Sequence, residues 1–141
     1  MNLEESRQIL LQHSRSKKNG IFPPEANLEG KLVNPICGDA IHLKLQTQNQ
    51  QILAGGFSAQ ACAICTASAS VLCEALSGHS VESALELTKS FESALLESPD
   101  TTWPQALSAL KCFEHLRVNP TRKACALLPF TALRSMLKKI L

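Results

Sequence analysis

The stretch Asn34-Pro35-Ile36-Cys37-Gly38-Asp39 sets the organisation of this 141-residue chain. A thiol and a carboxylate lie two residues apart, and residues i and i+2 of an extended segment point to the same side. Gly38 between them can adopt backbone angles that are closed to other residues, so the chain can bend there and let Cys37 and Asp39 converge. One thiolate and one carboxylate make half of a tetrahedral metal site.

Cys62 and Cys125 are the candidates for the other half of that site. Each lies where the sequence predicts the N-terminus of a helix, and the unpaired backbone N–H groups of such a terminus favour a thiolate. The last helix is expected to start near Cys125 to Leu127, because Pro129 is tolerated in a first turn. The two cysteines are 125 − 62 = 63 positions apart, so only the fold can bring them together.

An alternating pattern from Ala40 onward predicts an antiparallel hairpin. Ile41, Leu43 and Leu45 alternate with polar residues, as in a half-buried strand. A polar turn over 46–50 leads to a second extended run, Ile52 to Phe57, which we expect Gly55-Gly56 to interrupt. The preceding residues 21–30 contain Pro23-Pro24 and are expected to be irregular. The candidate metal motif then lies at the mouth of a small sheet.

Helical patterns occupy the rest of the chain. Asn2 and Glu5 resemble a capping box before a helix that runs to about His13. The other predicted helices are Cys62–Leu76, ended by Gly78, then Val81–Leu96, Gln105–Leu116 and a last one reaching Leu141, with loops at Ser14–Gly20 and Ser98–Pro104. These patterns predict one α+β domain over residues 1–141, with a small antiparallel sheet packed by about five helices.

Composition argues against several classes of function. The net charge is +2, aromatic residues make up 4% and there is no tyrosine, which gives little support to nucleic-acid binding. No run of about 18 apolar residues exists, so we expect no membrane span. The first fourteen residues lack the apolar core of a signal peptide. Six cysteines in such a chain indicate a reducing, cytoplasmic environment, where they favour metal or thiol chemistry over disulfides.

Three motifs in order resemble one protein family. They are Asn34-Pro35-x-Cys37-Gly38-Asp39, then Cys62-Ala-Ile-x-x-Ala67-Ser68-Ala69-Ser70, then Arg122-x-x-Cys125-Ala-Leu. The chain thereby resembles the U-type iron–sulfur cluster assembly scaffolds, the family of IscU, the NifU N-terminal domain and SufU. The resemblance covers most of the chain. The long segment between the second and third motifs, and the absence of a Leu-Pro-Pro-Val-Lys sequence, are closest to the SufU branch.

The resemblance implies a SufE/NifU-like fold and a site of Cys37, Asp39, Cys62 and Cys125 that holds zinc or a nascent [2Fe–2S] cluster. It implies a scaffold or zinc-dependent sulfur acceptor rather than an enzyme with turnover of its own. Such a protein receives sulfur from a cysteine desulfurase, with Cys125 as the acceptor, and passes sulfur or cluster to downstream assembly or acceptor proteins. Arg122 is expected to provide electrostatic steering of a partner or to counter the negative charge of the site.

The chain departs from the family pattern at three positions. Ala61 stands in place of the usual glycine, and Ala124 stands where a histidine or lysine is common before the third cysteine. Cys65 is an additional thiol. It leaves open a second function, a thiol–disulfide redox protein that uses Cys62 and Cys65. A structural zinc module that binds a protein partner is a third alternative. Cys73 and Cys112 are expected to be core residues.

Overall fold

The computed structural model describes residues 1–17 and 20–141, so the predicted loop at Ser14–Gly20 lies partly outside the described residues, at Lys18 and Asn19. In this part of the chain the helices are α1 (Leu3–Arg15), α2 (Ala63–Leu76), α3 (Val81–Leu96), a 3₁₀ segment (Gln105–Val118) and α4 (Pro120–Leu137), and the strands are β1 (Leu28–Val33), β2 (Ala40–Gln48) and β3 (Gln51–Gln60). The predicted α+β class is confirmed. Among these helices, none is long and apolar enough to cross a membrane.

The sheet is antiparallel, with the strand order β1-β2-β3. The predicted hairpin is confirmed as β2 and β3, with Leu43 opposite Phe57. Asn49 and Gln50 join the two strands with φ of 52° and 63°, and tight hairpin turns need such positive values. Leu43 is fully buried, so the alternation in the sequence correctly identified the face of β2 that packs on the core.

Two features of the sheet were predicted wrongly. Residues 28–30 were expected to be irregular, but they form the first half of β1. The residues of β1 are only weakly apolar, and their pairing with β2 holds them at the edge of the sheet. Gly55-Gly56 does not interrupt β3, which continues to Gln60. The glycines have another role, because the backbone at Ile21 crosses so close to Gly56 that a side chain there would collide with it.

The helix boundaries follow from local capping. Asn2 Oδ1 accepts the backbone N–H of Glu5 at 2.8 Å, which confirms the predicted start of α1. Gly78, with φ of +84°, follows the end of α2 as predicted. The predicted bounds of α3 are also confirmed, and Ser80 caps that helix through the N–H of Ser83.

The predicted start of the last helix is wrong. Helix α4 begins at Pro120, and Asn119 caps it by accepting the backbone N–H of Arg122 at 3.1 Å. An asparagine cap followed by proline at the first helical position is a strong start signal, and here it overrides the proline further along. Pro129 therefore lies inside α4. The helix ends at Leu137 rather than at Leu141.

The core forms where the helices meet one face of the sheet. Helix α2 is rich in small residues and contacts α1, α4 and β3. A second part of the core lies between α3, the 3₁₀ segment and α4. There the ring of Phe91 lies 4.1 Å from Phe130, 5.3 Å from Phe113 and 6.3 Å from Trp103. This packing fixes α4 relative to the sheet and so fixes the position of Cys125.

Candidate metal centre

The loop that carries Cys37 and Asp39 joins β1 to β2 and is held by its own backbone. Asn34 N–H donates to the Asp39 carbonyl at 2.8 Å, and Gly38 N–H donates to the Asn34 carbonyl at 2.8 Å. The turn requires a φ of +77° at Gly38, a conformation that residues with a side chain rarely adopt. The glycine thus lets the thiol and the carboxylate converge, as the sequence predicted.

Cys62 enters the site from the N-terminus of α2. It is the N-cap residue, and its Sγ accepts the backbone N–H of Cys65 at 3.4 Å. Its own N–H donates to Asp39 Oδ1 at 2.9 Å, and its thiol donates to Asp39 Oδ2 at 3.4 Å. Asp39 therefore connects the β1–β2 loop to the start of α2 through both of its carboxylate oxygens.

Cys125 lies on α4 and is not at a helix N-terminus. It lies in the second turn, because α4 begins at Pro120, so the prediction of a terminal position is wrong. Its side chain is 5% exposed. Burial, followed by hydrogen bonding to Asp39 and Cys62, raises the pKa of the Cys125 thiol well above its ordinary value. In the absence of a cation this thiol is held protonated.

The four candidate ligands meet in one place. The ligand atoms of Cys37, Asp39 and Cys125 all lie within 4.8 Å of one another. Cys62 completes the group through its contacts with Asp39 and Cys125. The sequence predicted each of these residues but could not establish that they converge.

Asp39 is the electrostatic centre of the cluster. Burial acts to raise its pKa, but the hydrogen bonds from the Cys62 backbone and from the three thiols outweigh burial and lower the pKa below the ordinary value. The carboxylate is therefore ionised at neutral pH and is surrounded by thiols that can release their protons to solvent when a metal binds.

The donor set and its spacing suit a tetrahedral ion. Zinc bound at about 2.3 Å from sulfur and about 2.1 Å from oxygen places those two atoms roughly 3.6 Å apart. Cys62 Sγ and Asp39 Oδ2 are 3.4 Å apart. Two thiolates on one zinc lie roughly 3.8 Å apart, and the ligand atoms of Cys37, Asp39 and Cys125, all within 4.8 Å of one another, come close to such spacings. Three sulfurs and one oxygen also suit iron held with inorganic sulfide.

The remaining cysteines do not share this environment. Cys65 is fully buried beneath Cys62, and burial followed by the charges of Asp39, Cys62 and Cys37 raises the pKa of its thiol to about 12. Cys73 and Cys112 are 2% and 3% exposed, as expected of core residues. All six cysteines are free thiols.

Arg122 lies one helical turn before Cys125 on the surface of α4. Within the part of the chain that the structure describes, its guanidinium makes no hydrogen bond or ion pair. An exposed cation of this kind can attract an acidic partner.

Ser68 is a positioning residue that the sequence did not single out. Its buried hydroxyl donates to the carbonyl of Ala126, directly after Cys125, and so connects α2 to α4. The only available signal was a serine within a run of small residues, which indicates close helix packing but not a specific bond.

Comparisons with known proteins find similar sequences over most of this chain. The family model described as the NifU-like N terminal domain matches residues 4–115. The zinc-dependent sulfurtransferase SufU of Bacillus subtilis is 27% identical over 94% of this chain and 89% of its own length. The iron–sulfur cluster assembly scaffold protein IscU of Streptococcus pyogenes is 30% identical over 77% of this chain and 68% of its own length.

Solved structures share the fold. A protein from the thermophile Fervidobacterium islandicum, named as a candidate iron–sulfur cluster assembly scaffold for the SUF system, superimposes with a TM-score of 0.84. It is 27% identical, and the match covers 92% of this chain and 94% of that one. The N-terminal part of a NifU-like protein from Brucella abortus has a TM-score of 0.81 at 18% identity, over 99% of this chain and 97% of its own, which shows a common fold.

Proposed function

Since this chain belongs to the NifU-like N-terminal domain family, we propose that it works in iron–sulfur cluster assembly as a scaffold or zinc-dependent sulfur acceptor. It receives sulfur from a cysteine desulfurase and passes sulfur or cluster to downstream assembly proteins. The observation that carries the proposal is the convergence of three thiols on one ionised carboxylate, Asp39, at a spacing that suits a metal ion. The B. subtilis relative that matches most of the chain is named for zinc-dependent sulfur transfer.

The proposed ligands are Cys37, Asp39, Cys62 and Cys125, and they hold either zinc or a nascent [2Fe–2S] cluster. When bound, a zinc ion lowers the pKa of its ligand thiols and deprotonates them. The chain prepares for this by keeping Asp39 ionised and by placing Cys62 at the N-terminus of α2, where it contacts both oxygens of that carboxylate. A carboxylate is a harder ligand than a thiolate, so Asp39 favours exchange of the cargo over storage.

The proposed sulfur acceptor is Cys125. Its thiolate attacks the outer sulfur of a persulfide on the donor protein; the donor's S–S bond breaks, and the electron pair leaves with the donor's cysteine thiolate. Cys125 then carries the persulfide. Because Cys125 is buried while Cys37 is exposed, the loop of Cys37 has to move aside for the donor to reach it. Arg122, with its unpaired guanidinium, is proposed to steer the donor.

A redox function through Cys62 and Cys65 is decided by experiment rather than by the raised pKa of Cys65. Only the attacking cysteine of a redox pair needs a thiolate near neutral pH, and the second cysteine can be buried with a raised pKa, as Cys65 is. Cys65 is better explained as a packed side chain whose N–H supports Cys62.

The test is to purify the full chain without oxygen, measure bound zinc and iron, and add a cysteine desulfurase with cysteine. Mass spectrometry of the digested protein should find the added sulfur on Cys125. Cys125→Ser should lose it, whereas Cys73→Ala, which removes a buried thiol outside the cluster, should keep it. Bound metal without any gained sulfur would instead identify a structural metal module. A Cys62–Cys65 disulfide formed in its place would identify a redox protein.

A further inference from the structure

A cleft of about 650 Å³ lies apart from the metal centre, between α1, the first turn of α2 and the junction of the 3₁₀ segment with α4. Pockets for small organic ligands have volumes of about 300–1,000 Å³ and are mostly apolar, with a few placed polar groups. Leu10 and Cys112 are the buried apolar residues of its lining. Leu3 and Val118, 44% and 69% exposed, also line the cleft and leave apolar surface open to solvent.

Two buried polar atoms in this lining lack hydrogen-bond partners. The hydroxyl of Ser6 belongs to a residue that is 1% exposed, and it makes no hydrogen bond within the described residues. The atom His115 Nε2 is also buried and makes no hydrogen bond within the described residues. Its neighbour Glu114 Oε1 lies 3.8 Å away, beyond hydrogen-bond distance. A buried polar group without a partner is destabilising, because it has lost its hydrogen bonds to water. Two of them in one cleft indicate a ligand that supplies the acceptor.

The charged residues that line the cleft indicate that this ligand is an anion. Arg7 and Arg122 line it, and no acidic residue does. In residues 1–17 and 20–141 neither guanidinium makes a hydrogen bond or an ion pair. An anion entering the cleft therefore meets two uncompensated positive charges, and its oxygen atoms can accept hydrogen bonds from Ser6 and from His115 in the tautomer that carries a proton on Nε2.

We propose that this cleft binds a small amphipathic carboxylate. The carboxylate accepts hydrogen bonds from Ser6 and His115 in the positive field of Arg7 and Arg122, and its aliphatic or aromatic part packs on the apolar lining. None of the four proposed metal ligands lines the cleft. Binding there therefore requires no metal, and the inference does not depend on the proposed function.

The test uses octanoate as the probe and the full chain labelled with ¹⁵N. Titration should shift the backbone resonances of Ser6, Ile64 and His115 in a saturable way, with a midpoint below about 10 mM. Acetate carries the charge without the apolar chain, octylamine reverses the charge, and octanol removes it. Each of these should bind at least about tenfold more weakly, because each lacks one of the two features that the cleft recognises.

Three variants assign the binding to the cleft. Ser6→Ala should weaken octanoate binding about threefold to tenfold by removing one hydrogen bond, and Arg7→Gln about twofold to fivefold by removing an exposed charge. Lys139→Gln removes a positive charge outside the cleft and should leave the midpoint unchanged. Amide spectra that match the parent protein away from the substitution show that each variant is folded.

Several results would overturn the proposal. These are the absence of saturable shifts at these residues, equal binding of octylamine, or a midpoint that Ser6→Ala and Arg7→Gln both leave unchanged. A second probe separates a cleft for small ligands from a docking groove for proteins. If a peptide with alternating leucine and glutamate residues saturates the same resonances while octanoate does not, the cleft serves a partner protein and the proposal for a small carboxylate is wrong.

Discussion

The polar contacts around Arg117 and those around Asp39 each hold a loop. Only in the Arg117 cluster does the protein itself supply strong hydrogen-bond partners for the charged group. Arg117, 8% exposed, donates to the carbonyls of Glu114, Ser98, Pro99 and Thr101 at 2.8–3.2 Å. Its guanidinium also lies 5.6 Å from the centre of the Trp103 ring. Every part of that cation has a protein partner. The cluster around Asp39 instead gathers three thiols on one carboxylate, and thiols are weak hydrogen-bond donors.

The two clusters therefore have different roles: the Arg117 cluster stabilises the fold, and the Asp39 cluster is the proposed metal site. The Arg117 cluster fixes residues 98–101 permanently, since charged donors meet neutral acceptors in a buried place. The Asp39 cluster is held by hydrogen bonds from thiols and one backbone N–H, and under the proposed function it gains further stability from a bound cation. The predictions below test this contrast.

The largest effect is expected from Cys37→Ser. The exposed side chain contributes little to the metal-free fold, so the free energy of unfolding without metal should change by less than about 0.5 kcal/mol. Loss of one thiolate ligand should lower zinc affinity by at least about 100-fold. Competition with a chromophoric chelator measures that affinity.

Cys73→Ala is the matched control for this variant. It removes a buried thiol away from the cluster, so it should destabilise the fold by about 1 kcal/mol while zinc affinity stays within about twofold of the parent value. Equal loss of zinc affinity in the two variants would contradict the assignment of Cys37 as a ligand.

Arg117→Ala tests the cluster that is already complete. Removing the buried guanidinium removes the four hydrogen bonds that it donates, so the variant should be destabilised by roughly 3 kcal/mol in urea unfolding. The loss should be the same with and without zinc, because the Arg117 cluster has no part in metal binding. Arg122→Ala, which removes an exposed and unpaired arginine, should cost less than about 0.5 kcal/mol. A loss that disappears when zinc is bound would show that the two clusters are coupled.

Asp39→Ala tests the proposal that the carboxylate speeds release. The variant should retain zinc or cluster about threefold to tenfold longer when challenged with a chelator, because the softer ligands that remain hold a thiophilic centre more firmly. Asp39→Asn is the control, since it keeps the side-chain shape and an acceptor for the Cys62 N–H. Faster loss from Asp39→Ala than from the parent protein would refute the idea.

The smallest effect concerns pH in the metal-free protein. The pKa of Asp39 is lower in the folded than in the unfolded state, so the carboxylate stabilises the fold above its unfolded value of about 3.9. That contribution is lost as the pH falls through the lower folded pKa. Urea unfolding between pH 6 and pH 3 should therefore show a steeper loss of stability for the parent protein than for Asp39→Asn. Parallel curves would show that Asp39 is not stabilised in its ionised form.

Local signals explain which parts of the fold were predictable. The cap at Asn2, the alternation in β2 and the terminator Gly78 act over a few residues, and each was identified correctly. The edge strand β1 carries little apolar pattern of its own and exists because β2 offers a partner. The start of α4 is set by the asparagine cap and the proline at residues 119–120, a local signal stronger than Pro129 further along the helix.

The amino-acid sequence by itself determined the fold class, the pairing of Cys37 with Asp39 and the turn at Gly38, because these depend on residue type and short spacing. Cys62 and Cys125 were added to the site by the resemblance of three separate motifs to one family. Tertiary structure alone decided that Cys125 reaches Asp39 from 86 positions away (125 − 39 = 86) and that it does so from inside a helix. It also decided that the thiol is buried and its pKa is raised. Such distances and burial come from the packing of α4 on α2 and the sheet, a sum of many contacts that no short stretch of sequence encodes.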